Sequence, residues 1–161
     1  MKNIILIRHS KSSWNAPLQD KDRPLTIQGA KDAHLVSLKS RNFILKNYMI
    51  YCSTAKRAQE TALIFAQNFS YPIESIVFIE ELYTFDENQL EKVIKSFSNH
   101  SESVIIFGHN EAITNFVNKF GDIFIENVPT SGFVALQLET NNWLNINKGK
   151  TLKTIFPKEL K

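Results

Sequence analysis

The chain is poor in cysteine, glycine and proline, with one Cys, five Gly and five Pro among 161 residues. The single thiol, Cys52, excludes an internal disulfide and a Cys-rich structural zinc site, and it fits a reducing compartment. The glycines are scattered, so there is neither a low-complexity stretch nor a Gly-rich phosphate loop ending in Lys-Ser or Lys-Thr, and a His-Glu-x-x-His metal motif is missing too. Long apolar runs are equally scarce. Ile4-Ile5-Leu6-Ile7 is only a strand long, far below the roughly 20 residues of a membrane helix, so no membrane partner is expected. Arg8 and His9 end that run short of a signal-peptide core and no small-residue cleavage site follows, which makes the cytoplasm the expected location. Nor does one sign of charge dominate. Lys and Arg number 19 against 16 Asp and Glu, a net +3 that permits anionic ligands without requiring a nucleic acid. The 12 phenylalanines fall mainly at strand and helix-core positions, so no base-stacking surface stands out and no nucleic-acid partner is expected.

What is present is ordinary globular material, 43% hydrophobic and 22% charged, of a length that fits one domain over residues 1–161. Short β-branched runs alternate with segments of helical spacing, which is an α/β rhythm. Asn3 to Ile7, Met49 to Cys52, Ile76 to Ile79 and Val104 to Phe107 read as parallel strands buried on both faces. Thr26 to Ser40, the run from Ala55 to Ala66, Asn88 to Phe97 and Glu111 to Phe120 read as amphipathic helices, the last closed by Gly121. The final quarter is different. Phe133 to Glu139, Trp143 to Asn147 and Lys150 to Phe156 read as antiparallel strands joined by turns at Asn141-Asn142 and Lys148-Gly149. The expected architecture is three-layer α/β/α, with a mostly parallel mixed sheet between helices on both faces.

In such sheets ligands bind beyond the carboxyl ends of the strands, so the residues that end each run are the ones to inspect. The first run exits into Arg8-His9-Ser10, the second into Ser53-Thr54-Ala55-Lys56-Arg57, and the fourth into Gly108-His109-Asn110. Any one of these has an ordinary explanation as a solvated charge or a cap. Together they place two arginines and two histidines on one sheet edge. Guanidinium groups bind phosphate oxygens bidentately, and imidazole serves as a nucleophile or proton donor near neutral pH. The combination reads as a phosphate pocket carrying its own nucleophile.

These residues, in this order, resemble the histidine phosphatase superfamily, also called phosphoglycerate mutase-like. Leu6-Ile7-Arg8-His9 followed by Ser10 resembles its Arg-His-Gly signature, with Ser10 where glycine is commonest. Asp22-Arg23-Pro24-Leu25-Thr26 with Gly29, then Ser53 through Arg57 with Ala58 and Thr61, then Gly108-His109-Asn110, then Pro129-Thr130-Ser131-Gly132 complete the pattern. The short chain and the Arg-Pro-Leu-Thr segment resemble the small SixA-like branch of phosphohistidine phosphatases. The resemblance implies that His9 attacks phosphorus and carries a phosphohistidine intermediate, with Arg8, Arg57 and a protonated His109 stabilising the phosphoryl oxygens. It implies neither metal nor cofactor. Asn15 and Arg23 match positions that reach the substrate, and Glu81 is the candidate general acid. If the leaving group is an imidazole, a strong acid is less necessary than for an alkoxide.

The implied partner is therefore a phosphorylated protein of the histidine-phosphotransfer type. A small phosphomonoester and a non-catalytic phosphoprotein-binding module are the alternatives, and intact His9 argues against the last. Two near misses carry other chemistry. Cys52 to Arg57 resembles a cysteine-dependent phosphatase loop, but is one residue short and lacks the glycines of an anion nest, so Cys52 reads as a small buried hydrophobe. Asp20-Lys21-Asp22 resembles an aspartyl phosphatase pair, but no apolar strand precedes it. Trp14 reads as packing beneath the first loop, and His34 and His100 as solvent-facing.

Overall fold

The computed structural model describes residues 1–15, 17–44 and 46–161. Six strands form one sheet: β1 (Lys2–Arg8), β2 (Tyr48–Ser53), β3 (Val77–Ile79), β4 (Ser103–Gly108), β5 (Phe133–Leu138) and β6 (Lys150–Ile155). Their spatial order is β3-β2-β4-β1-β5-β6. The first four run parallel, and β5 and β6 are antiparallel to their neighbours. Four helices cover the sheet: α1 (Ile27–Ser40), α2 (Lys56–Asn68), α3 (Glu87–Lys95) and α4 (Ala112–Phe120).

The strand period of two explains the layering. Ile4 and Leu6 pack with Ile94, Phe116 and Val117 of α3 and α4, whereas Ile5 and Ile7 face Ala33, Val36, Ala62 and Phe65 of α1 and α2. Both faces of β1 are thus covered, which is why its apolar run is continuous. The result is the three-layer α/β/α architecture that the sequence leads one to expect. Two elements differ. Val77 and Phe78 are partly exposed because β3 is a three-residue edge strand covered on neither side as a central strand is. Trp143 to Asn147 is not a strand. A single 3-10 turn spans Trp143–Asn145, fixed where Trp143 is fully buried, stacks edge-on against Phe97 and donates its indole N–H to the Ser101 carbonyl at 2.7 Å. Burial of the ring and its N–H bond override the alternating pattern.

The N-terminus of α1 fixes the loop that follows β1. Thr26 caps the helix by accepting from Gly29 N–H at 2.9 Å, and its own N–H donates to the Lys11 carbonyl at 2.9 Å. A Cβ on Gly29 would overlap that carbonyl oxygen. Gly29→Ala is therefore expected to destabilise the protein by about 2 kcal/mol, against the helix-propensity gain, and to lower the thermal midpoint by roughly 4–8 °C. A melting curve unchanged from wild type would show that the loop does not need this approach.

Candidate active site

Adjacency in the sheet brings the chosen strand ends together. β4 lies between β1 and β2, and the register pairs Arg8 with Gly108, after which His9 N–H donates to the Gly108 carbonyl at 3.0 Å. The rings of His9 and His109 come to rest 5.2 Å apart, centre to centre. Arg57, in the first turn of α2, enters from the β2 side and is 1% exposed.

His9 is fixed in one tautomer. Its Nδ1 lies 2.7 Å from the Ser10 carbonyl, which only accepts, so Nδ1 carries the proton and Nε2 keeps its lone pair. Burial lowers its pKa, and although the Ser10 bond opposes this, the nearby Arg57, Arg8 and Arg23 add to it, leaving a value of about 4. The imidazole is neutral and nucleophilic at pH 7. Ser10 is itself clamped three ways: its N–H donates to Thr61 Oγ1 at 2.9 Å, its hydroxyl meets that of Ser131 at 2.5 Å, and its carbonyl holds His9. Thr61 in turn donates to the Arg57 carbonyl at 2.7 Å, tying the nucleophile loop to the arginine helix. Ser131 reaches its place through left-handed backbone, with φ 64°, and donates its N–H to the carbonyls of Arg8 and His9. The hydroxyl of Ser10, where glycine is commonest in the signature, is thus absorbed by a partner hydroxyl.

His109 departs from expectation. Burial, the proximity of His9 and the Arg57 charge press its pKa down to about 2, so in the free protein it is neutral and not the protonated donor expected from the resemblance. Its Nε2 lies 2.7 Å from Ser53 Oγ, which also accepts the Ala55 N–H at 3.2 Å. In the tautomer in which the serine hydroxyl donates to Nε2, Nδ1 carries the proton and is the free donor. Nδ1 is buried with no partner among the described residues, and the rings of Tyr83 and Phe85 cover the imidazole at 5.2 and 5.5 Å.

The two histidines give a pH prediction with a definite sign. In the unfolded chain they take up protons below about pH 6.5, whereas the folded protein resists until about pH 4 at His9 and about 2 at His109. Stability is therefore present above about pH 6.5 and is lost as the pH falls toward those values. The thermal midpoint should drop between about pH 7 and pH 5, and it should drop less in His9→Asn/His109→Asn. An equal drop in both proteins would assign the acid sensitivity to other groups.

A cavity of about 370 Å³ opens beside His9, lined among others by Arg8, Arg23, Arg57, Trp14, Asn110 and Thr130. Arg8 Nη1 donates to the Val128 carbonyl at 2.9 Å, while its Nε is buried and without a partner among the described residues. Arg57 donates through Nη1 to the Asp20 carbonyl at 2.7 Å and through Nη2 to the Asp20 carboxylate at 2.9 Å, and its Nε likewise has no partner among the described residues. Arg23 is buried, donates to Ser12 Oγ at 2.6 Å and reaches the other Asp20 oxygen. Burial raises the Asp20 pKa, but bonds from Tyr83, Arg57 and Arg23 outweigh it and hold the carboxyl at about 2.

The structure thus brings together Arg8, His9, Arg23, Arg57 and His109. It does not bring in the other two candidates. Asn15 is exposed in a bend, and Glu81 is exposed on the 3-10 turn Glu80–Leu82; neither lines the cavity. Trp14 does not pack beneath the loop: it is 76% exposed and lies over the Arg23 guanidinium, 3.4 Å from ring centre to Cζ. Stacking on a cation substitutes here for burial in the core. Asp20, Tyr83 and Phe85 are the additions, while Ser131 belongs to the Pro129-Thr130-Ser131-Gly132 segment that carries the resemblance. Asp20 had a signal in its spacing three residues before Arg23, whereas nothing local marks the aromatic pair. Among the described residues no cluster of three or more His, Cys, Asp or Glu could hold a metal ion, and no helix is long and apolar enough to cross a membrane.

Residues 4–92 match the family model for the histidine phosphatase superfamily, branch 1. An uncharacterized protein of Mycobacterium leprae is 28% identical over 155 residues, covering 94% of this chain and 81% of that protein. An uncharacterized chloroplastic protein of Arabidopsis thaliana is 28% identical over 151 residues, covering 88% and 69%. Among solved structures, the protein histidine phosphatase SixA complexed with tungstate superposes with a TM-score of 0.78 at 20% identity, over 99% of each chain. A phosphoserine phosphatase from Entamoeba histolytica, in complex with 3-phosphoglyceric acid, superposes with a TM-score of 0.65 at 16% identity, over 100% of each chain.

Proposed function

The chain belongs to the histidine phosphatase superfamily and is a phosphatase, and from that premise we propose that His9 is its nucleophile and that it acts on phosphohistidine carried by another protein. One observation carries the site assignment. Of the five buried polar side-chain atoms without a partner among the described residues, three lie around His9: Arg8 Nε and Arg57 Nε, which are donors, and His109 Nδ1, which donates in the tautomer in which Ser53 donates to Nε2. Buried donors are normally satisfied, and a phosphoryl group supplies the acceptors these three lack.

In the first step the lone pair of His9 Nε2 attacks phosphorus in line. The P–Nε2 bond forms as the bond to the leaving nitrogen or oxygen breaks. The bond from Nδ1–H to the Ser10 carbonyl aims Nε2 and steadies the positive charge that the ring acquires. Arg8 and Arg57 stabilise the charge spread over the equatorial oxygens. His109, neutral in the free protein, donates Nδ1–H, and the dianion beside it favours a second proton at Nε2. Water then attacks phosphorus, the P–Nε2 bond breaks, and phosphate leaves. Each of these roles is filled by a side chain, so turnover is expected to persist in EDTA.

The choice of a P–N substrate rests on what lines the cavity. An alkoxide leaving group needs a proton donor, but Glu81 is exposed outside the cavity and Asp20 is ionised down to about pH 2. A phosphohistidine whose other ring nitrogen carries a proton leaves as neutral imidazole, the P–N electron pair staying on the departing nitrogen, and since the ring takes up that proton with an ordinary pKa of about 6.5, no carboxylic acid is needed over the leaving atom. The aromatic margin supports a protein-borne substrate, since Trp14 and Phe85 are 76% and 55% exposed where a partner surface would cover them. A small phosphomonoester is the second reading, favoured by a cavity volume in the range of metabolite sites. The test compares turnover of a phosphorylated histidine-phosphotransfer domain with that of an alkyl phosphate. The expected preference for the former is at least about tenfold in kcat/KM, with Glu81→Gln within about twofold of wild type on both. A preference for the alkyl ester would move the substrate to the metabolite class.

A further inference from the structure

Asp20 is the acidic side chain among the residues lining the cavity, and the proposed chemistry leaves it without a role. Its Oδ2 accepts from Arg57 Nη2 at 2.9 Å and from the Tyr83 hydroxyl, and its Oδ1 accepts from Arg23 Nη2 at 3.2 Å and Nε at 3.3 Å. A carboxylate thus sits between two buried guanidiniums as a phosphoryl group would, presenting one oxygen to each fork. Without an anion there, the two cations would face each other inside the protein at an energetic cost. The carboxylate is nonetheless open to solvent. Its side chain is 42% exposed, it lies on a turn of three residues, Asp20–Asp22, and Gln19 before that turn makes no side-chain cap. The Asp20 carbonyl keeps its own bond to Arg57 Nη1 at 2.7 Å, so the carboxylate is free to rotate out while the turn stays docked.

We propose that Asp20 is a specificity-determining residue acting as an intramolecular competitor, whose carboxylate occupies the anion subsite between Arg23 and Arg57 until a phosphoryl dianion displaces it. The inference rests on the reading of this cavity as a phosphoryl site. A monocarboxylate ligand gains nothing by the exchange, because one carboxylate merely replaces another. A phosphoryl group brings more charge and a third oxygen for Arg8 Nε, so it alone gains on entry. The same competition weakens the grip on the product phosphate and so favours its release.

The test is titration of wild type, Asp20→Asn and Tyr83→Phe with inorganic phosphate and with acetate, beside phosphate inhibition of turnover. Asparagine keeps the shape and one acceptor oxygen while removing the charge. Asp20→Asn is expected to bind phosphate about tenfold more tightly, with an equal fall in the inhibition constant, and to bind acetate more tightly as well. Tyr83→Phe removes one of the bonds that hold the carboxylate and should shift phosphate affinity in the same direction by about twofold to threefold. Unchanged or weaker phosphate binding in both variants, with wild-type turnover intact, overturns the proposal and makes Asp20 a residue that positions Arg57. Absence of both turnover and phosphate binding in the wild type overturns the phosphoryl-site reading itself.

Discussion

His9→Ala should lower turnover of phosphohistidine and of an aryl phosphate by on the order of 10⁴-fold or more while the protein stays folded. The two halves of that expectation have separate causes. The reaction loses the Nε2 lone pair, for which no neighbour substitutes: His109 is covered by Tyr83 and Phe85 and its free nitrogen is the donor of the pair. The fold loses one imidazole at the cavity wall and one bond to the Ser10 carbonyl, a cost of about 1 kcal/mol. Rates and melting curves of wild type and variant check both halves. A variant that is slow only because it is unfolded would leave the nucleophile assignment without support.

Arg57→Ala is expected to lower kcat by a further large factor, about 10² to 10³ relative to wild type, as removal of one preorganised donor at a developing charge does. Its guanidinium is fully buried, carries an Nε unpartnered among the described residues, and is tied through Nη1 to the Asp20 backbone carbonyl at 2.7 Å. Lysine keeps the charge but not the planar fork, so Arg57→Lys should recover less than a tenth of the lost rate. Rapid kinetics that separate KM from kcat distinguish this from simple loss of substrate binding. A kcat unchanged in Arg57→Ala, with only KM raised, would confine Arg57 to holding the ground state.

Much of this was legible in the sequence because the signals were local. The continuous apolar runs at 4–7 and 104–107 announce strands covered on both faces, and their polar exits name Arg8, His9 and His109. Arg57 was reachable because the run of small residues Ser53 to Ala55 ends a strand and opens a helix. What stayed out of view depends on distance along the chain. Asp20 meets Arg57 37 residues away and Tyr83 63 residues away, and no periodicity records such a meeting. Its own surroundings, Pro17 to Gln19, read as a plain loop. The neutral state of His109 in the free protein was out of view for a related reason, since it follows from desolvation and from the other cations in the folded site and not from residue type. Trp14 and Trp143 show the same limit in opposite directions: one ring lies exposed over Arg23, while the other is fully buried and turns an alternating segment into a 3-10 turn.

The central claim is that phosphorus passes through His9 Nε2. It is tested most directly by mixing the protein with phosphorylated histidine-phosphotransfer domain, quenching in alkali within one turnover, and mapping the phosphoryl group by peptide mass spectrometry. The account predicts a phosphoramidate on His9 that decays as inorganic phosphate appears and that is missing in His9→Ala. A phosphoryl group found on another residue, or full turnover in the variant, would contradict it.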